Sequence, residues 1–143
     1  MSEYNAFEVD RLPETCGHTA QYFRERSIRL DTRGPLTIHP ESRWGYFVTV
    51  ITKSHHRGPG DDIPDGALVD RPVIVDREAW ICSSAILYNC IIGEGAIVAV
   101  GAVVRSQEVK PYVMVAGNPA RVIARNVAGT WVYDTGEKWE ILA

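Results

Sequence analysis

Cysteine is scarce in this chain, and what there is does not form a framework. Cys16, Cys82 and Cys90 are three in number, share no metal-binding spacing, and cannot all pair. Free thiols in a cytosolic protein are the simple reading. There is no apolar run of about 18 residues, so no membrane-spanning helix is expected. The opening MSEYNAFEVDRLPE carries early acids and no apolar stretch, so we expect no secretory signal and a cytoplasmic location. Positive charge is not in excess either. The net charge of -3 gives no reason to expect nucleic acid or an anionic membrane as partner. With 45% hydrophobic residues in 143, the chain can fold, and as one domain.

Residues 73–104 also lack helical periodicity, and what replaces it organises the chain. An aliphatic residue returns about every sixth position: Val75, Ile81, Leu87, Ile92, Val98 and Val104. Small residues follow four positions after most of them, at Ala79, Ala85, Ala96 and Ala102. Such hexads mark a parallel β-helix, in which three short strands and three corners make one triangular coil. One step, from Leu87 to Ile92, is five rather than six, which we read as a tightened corner. Cys82 and Cys90 fall inside the repeat, where a small apolar thiol packs well.

Upstream, residues 1–26 read as a cap. A short helix within 13–26 brings Tyr22, Phe23 and Ile28 over the open end of the coils, beginning near Pro13. A partial coil spans Ser27 to Pro35, and hexads then run from Ile38, Trp44 and Val50. Trp44 is large for a narrow core, which suits a place near an end or at a subunit contact. The Gly-, Pro- and Asp-rich stretch 55–70 breaks the repeat as an ejected loop. Coils are expected over 27–109, fading after Val104. Residues 110–143 then hold an exit turn at Gly117-Asn118-Pro119 and a tail. In the tail a hairpin is expected, turning at Asp134-Thr135-Gly136 between Trp131 and Trp139. Tyr46, Phe47, Trp80 and Val100 face outward, so the flat faces are expected to be buried by oligomerisation, most naturally in a threefold trimer.

Three stretches carry a resemblance. DTRGPLTIHPESRWGYFVTVITKSHH (31–56) leads into a Thr-x-Ser-His signature. VIVDREAWICSSAIL (73–87) places a Trp before an aliphatic residue. IIGEGAIVAVGAVV with VAGNPARVIAR (92–104 and 115–125) resembles a last coil and exit turn. Together they resemble the hexapeptide-repeat acyltransferases, closest to sugar O-acetyltransferases of maltose, galactoside and colanic-acid type. The resemblance implies an all-β fold, a left-handed parallel β-helix of about three to four coils. It also implies acetyl-CoA as co-substrate, a homotrimer with active sites between subunits, and polysaccharide biosynthesis as the setting.

A sugar hydroxyl is a poor nucleophile while protonated, and a histidine that removes its proton supplies what the reaction needs. His55 occupies the signature histidine and is the candidate base; a solvated loop histidine is the competing reading. His56 and Asp31 are candidate substrate contacts, Asp31 by its resemblance to a family acid. The resemblance puts Trp80 and Ser83 near the thioester, and Val100, Gly101 and Ala102 along the pantetheine groove. Interface packing competes for Trp80 and a plain corner serine for Ser83. Arg105, Arg121 and Arg125 are candidate phosphate contacts, with Arg105-Ser106 standing where members often have Thr-Lys. His18 and His39 read as structural or exposed. No metal is expected. Two alternatives stay open: a non-catalytic β-helix trimer, acting as scaffold or sugar binder, and a γ-carbonic-anhydrase-like zinc enzyme, for which three converging histidines would be needed.

Overall fold

The computed structural model describes residues 7, 9–58 and 62–134. In chain order it contains α1 (Ala20–Glu25) and fourteen strands. These are β1 (Arg29–Leu30), β2 (Leu36–Ile38), β3 (Arg43–Trp44), β4 (Thr49–Ile51), β5 (Lys53–His55), β6 (Leu68–Asp70) and β7 (Val73–Val75). They continue as β8 (Trp80–Ile81), β9 (Ile86–Ile92), β10 (Ile97–Val98), β11 (Val103–Val109), β12 (Val113–Ala116), β13 (Arg121–Val127) and β14 (Thr130–Tyr133).

Stacked parallel, the coil strands make the three faces of a left-handed parallel β-helix. On the first face Leu30 lies on Val50, Val50 on Leu87, and Leu87 on Val104. On the second the column is Ile38, Val75, Ile92 and Val109. On the third it is Trp44, Ile81, Val98 and Val115. All twelve side chains are buried, and Ala79, Ala85, Ala96 and Ala102 are buried at the corners. Because strand residues alternate sides, one inward residue per face fills the prism. Only a methyl-sized group fits behind a corner.

The coil therefore does not fade at Val104. Val109, Val113 and Val115 complete another winding, and Val104 to Val109 repeats the five-residue step of Leu87 to Ile92. Both short steps fall at the corner between the first and second faces. There β9 and β11 pass through the bend as unbroken strands, with Asn89 and Ser106 at φ 49°. The corner's other versions are longer: eight residues from Leu30 to Ile38, and the whole ejected segment between Val50 and Val75. The two remaining corners keep steps of six throughout. All length variation in the prism is confined to one edge.

Both ends are closed. At the N-terminal end α1 begins only after Gly17 and His18, capped by Thr19 whose hydroxyl accepts from the Tyr22 N–H at 3.2 Å; Pro13 lies outside it. Phe23 is fully buried and meets Trp44 edge-on at 5.7 Å, which places the large Trp44 side chain at the end of the core. Tyr22 is sandwiched between the His18 ring (4.0 Å) and the Arg26 guanidinium (3.7 Å). At the other end β13 and β14 add antiparallel to β12, extending the third face, and Ala120 and Ala124 are buried there. That hairpin turns at Ala128-Gly129, both at positive φ. Trp131 is thus in its second arm. The expected turn at 134–136 and Trp139 lie outside the described residues, apart from Asp134. Among the described residues no helix is long and apolar enough to cross a membrane.

Asp31 belongs to the fold and not to an acceptor contact as expected. It is fully buried, and its Oδ1 accepts from the Arg33 N–H (3.1 Å) and Nε (2.9 Å). Oδ2 accepts from Arg33 Nη2 (3.0 Å) and the Thr52 N–H (3.1 Å), so no acceptor site is left over. Burial pushes the carboxyl pKa up, but the Arg33 guanidinium and these backbone N–H groups outweigh it, leaving the pKa below the ordinary value of 3.8. A carboxyl depressed in the folded state stabilises it above the unfolded pKa, and that contribution disappears as pH falls through the folded value. Asp31→Asn should cost about 3 kcal/mol, since an amide NH2 would face N–H donors where a fully buried carboxylate oxygen now accepts from them. Urea unfolding at pH 7 should show this loss, and the difference from wild type should shrink below about pH 4.

Candidate functional site

The variable corner carries the candidate site. Thr52, fully buried, ties the corner at the point where the chain leaves the coil. Its N–H goes to Asp31, its hydroxyl donates to the Asp31 carbonyl (2.9 Å) and accepts from the Gly34 N–H (2.9 Å), and its carbonyl accepts from the Arg71 N–H (2.7 Å). Exit and return are thereby clamped to one residue. A Cβ on Gly34 would lie 2.2 Å from the Thr52 carbonyl oxygen, so only glycine allows this approach. Between the clamps the chain runs out as a two-stranded ribbon. Lys53 pairs with Asp70, Ser54 with Val69 and His55 with Leu68, and the His56 N–H bonds the Ala67 carbonyl (2.8 Å). Lys53 and Asp70 also form an ion pair at 3.0 Å.

His55 stands exposed on this ribbon, with Nδ1 2.7 Å from the Gly66 carbonyl oxygen. A carbonyl only accepts, so Nδ1 carries the proton, and in a neutral imidazole so held Nε2 is the acceptor nitrogen. This is the arrangement a proton acceptor needs. His56, the next residue, projects to the opposite side of the ribbon. Its Nε2 is enclosed and has no hydrogen-bond partner among the described residues. The two histidines do not share a face.

The ribbon is buttressed at its stem. Ser54 Oγ lies 2.7 Å from the Tyr88 hydroxyl, and Arg71 Nε donates to both, at 3.2 and 3.1 Å. Tyr88 sits on β9, in register between Ile51 below and Arg105 above. It borders a groove of about 330 Å³ lined also by Arg105, Ser106, Gln107, Pro119 and Arg121. Arg105 makes no ion pair among the described residues, and Arg121 holds only the Ala120 carbonyl (3.0 Å). Two guanidiniums on one groove suit an anion. Arg125, four residues further along β13, does not line it.

The other expected contacts lie at the next edge. Trp80 is half exposed on the third face between Arg43 and Ile97. Ser83 Oγ accepts from the Tyr46 N–H at 3.0 Å, Val100 is 72% exposed, and Gly101 has open space where a Cβ would stand. Ala102 departs from expectation. Its side chain is buried, its N–H goes to Ala99 and its carbonyl accepts from Ile86, so it offers a ligand nothing beyond shape. His39 Nδ1 accepts from the Glu41 N–H, and His18 serves the cap. Burial pushes the Cys90 thiol up to about 12, which leaves it inert as a nucleophile. Among the described residues no three metal-ligating side chains come together.

Sequence reasoning missed Tyr88, Ser54, Arg71 and Gln107. The five-residue step at Leu87 was the available signal, since it sets Tyr88 on an uninterrupted strand beside the ribbon.

No family profile matches the chain. Over 66 residues it is 33% identical to a chloramphenicol acetyltransferase of Agrobacterium fabrum (strain C58 / ATCC 33970), covering 46% of this chain and 31% of that protein. Its structure resembles a maltose O-acetyltransferase from Clostridium difficile 630, with TM-score 0.50 and 26% identity over 59% of this chain and 44% of that one. It also resembles a hexapeptide-repeat acetyltransferase from Vibrio cholerae solved with acetyl-CoA, with TM-score 0.50 and 19% identity over 68% and 63%. The chain spans less than two thirds of each, and under half of the first two. It shares the hexapeptide-repeat acetyltransferase fold. If the Arg105–Arg121 groove receives anions, replacing both by alanine should weaken inorganic pyrophosphate binding at least 10-fold in calorimetry without lowering Tm, since neither side chain is in the core.

Proposed function

We propose that the chain is an acetyltransferase that uses acetyl-CoA to acylate a hydroxyl of a sugar or polysaccharide precursor, with His55 as general base. The observation that carries this reading is the His55 ring itself: exposed, with Nδ1–H held by the Gly66 carbonyl and Nε2 without a hydrogen-bond partner among the described residues. The thioester supplies an already activated acetyl carbon. His55 Nε2 takes the acceptor's hydroxyl proton while the oxygen bonds to that carbon. As the carbon–sulfur bond breaks, the imidazolium gives the proton to the departing sulfur, so the base is restored. Arg105 and Arg121 on one groove suit the phosphates of the coenzyme in charge, and Val100 with Gly101 offers an open edge for its arm. The fit is in chemical type: guanidiniums for phosphate, and an unobstructed strip for a slender chain.

Within one protomer His55 and the Val100–Gly101 edge flank opposite sides of the first face. Phe47 and Thr52 mark those two edges, about 16 Å apart at strand rise. One thioester meets both groups only where two protomers abut. Tyr46, Phe47, Trp80 and Val100 are exposed on that side, which supports burial by a second copy and a cyclic trimer.

His55→Ala should lower kcat by at least 100-fold while leaving Tm and coenzyme A binding close to wild type, because the ring is exposed and its loss removes, besides proton transfer, only one surface hydrogen bond to Gly66. Thiol release from acetyl-CoA, followed with a chromogenic disulfide against a panel of sugars, reads this out. Turnover that persists in the variant removes His55 as base; a wild-type protein that releases no thiol with any acceptor, yet binds the sugars, favours a non-catalytic sugar binder.

A further inference from the structure

The stem of the ribbon and the arginine groove meet at a single side chain. Tyr88 meets Ser54 and Arg71 of the stem through its hydroxyl, and it lines the groove together with Arg105 and Pro119. Ser54 is the residue before His55, and Arg71 is where the returning strand rejoins the coil. A ribbon anchored by backbone hydrogen bonds at its root can still swing about it, and a two-stranded ribbon alone is marginal in water. The three side chains form a closed triangle, with sides of 2.7, 3.1 and 3.2 Å, that opposes this swing. Tyr88 is itself on a rigid strand, paired on both sides, so the triangle references the ribbon to the coil and not the reverse.

We propose that Tyr88 is a positioning residue that couples occupancy of the arginine groove to the seating of the His55 ribbon. An anion drawn to Arg105 and Arg121 packs against the Tyr88 ring and restrains it. The phenol then passes that restraint to Ser54 and Arg71. The coupling is reciprocal: a well-seated ribbon also favours the occupied groove. This rests on the acyltransferase reading only for its catalytic consequence; the physical linkage stands on the geometry alone.

Tyr88→Phe removes the hydroxyl and keeps the ring. Amide hydrogen exchange should show residues 53–57 and 66–70 exchanging roughly 3- to 10-fold faster in the variant, as loss of one hydrogen-bonded group predicts, with amides of β8 and β10 unchanged. Inorganic pyrophosphate, the probe for the groove, should slow exchange of the ribbon in wild type and not in Tyr88→Phe. Equal slowing in both proteins, or in neither, overturns the coupling. With acetyl-CoA and an acceptor, the variant should lose roughly 10-fold in kcat with KM for acetyl-CoA changed less than 2-fold, whereas mere loss of folded protein would be corrected by active-site titration. Failure of wild type to turn over acetyl-CoA would sink the functional reading, while the exchange result would still decide the linkage.

Discussion

The backbone ladder between stacked coils governs everything else in this structure. Each strand must sit in register on the one beneath, since a slip of one residue would turn its inward side chain outward. Twelve buried residues, from Leu30 to Val115, depend on that register. Insertions and deletions are therefore admissible only at corners. In this chain they are gathered at one corner, where successive windings take eight residues, a long ejected ribbon, five and five. The other two edges are held to six by small residues such as Ala79 and Ala85, which leave no room for anything longer.

That confinement explains why polar side-chain contacts gather where they do. A regular edge offers only repeating backbone and small side chains. The variable edge has to be tied down by special contacts, and these are polar: the saturated Asp31 carboxylate, the four-way Thr52 clamp, the Ser54–Tyr88–Arg71 triangle. The same contacts lift a ribbon off the prism and hold a histidine at its side with a defined tautomer. Two windings above, the short corner of β11 and the start of β13 bring Arg105 and Arg121 to one open groove. Scaffold irregularity and candidate site are one feature.

Much of this was legible in the residues. Hexad spacing identified the inward positions, and Gly58 to Gly66 marked an ejected segment because so many turn-formers cannot continue a strand. His55 stood out by its place at the root of that segment. Less legible was the last winding. Arg105-Ser106-Gln107-Glu108 is wholly polar and reads as an end, yet it is the outer surface of a strand whose inward residues are Val104 and Val109. Asp31 was misread because its likeness to a family acid suggests a substrate contact, and only the fold shows it enclosed by Arg33 and Thr52. Tyr88 showed only indirectly, through the five-residue step at Leu87, because a tyrosine on a strand is ordinary and its partners, Ser54 and Arg71, stand at the two ends of the ejected segment.

The claim that the variable edge of one protomer and the open edge of another form a single active site is tested most directly by solving the protein with a non-hydrolysable acetyl-CoA analogue bound. The account predicts the acyl carbon in a crevice between two copies. It should lie within roughly 4–5 Å of one copy's His55 Nε2, close enough for a nucleophile to fit between them, with its phosphates against Arg105 or Arg121. An analogue lying wholly on one protomer, with no His55 of the assembly near its acyl group, would contradict it.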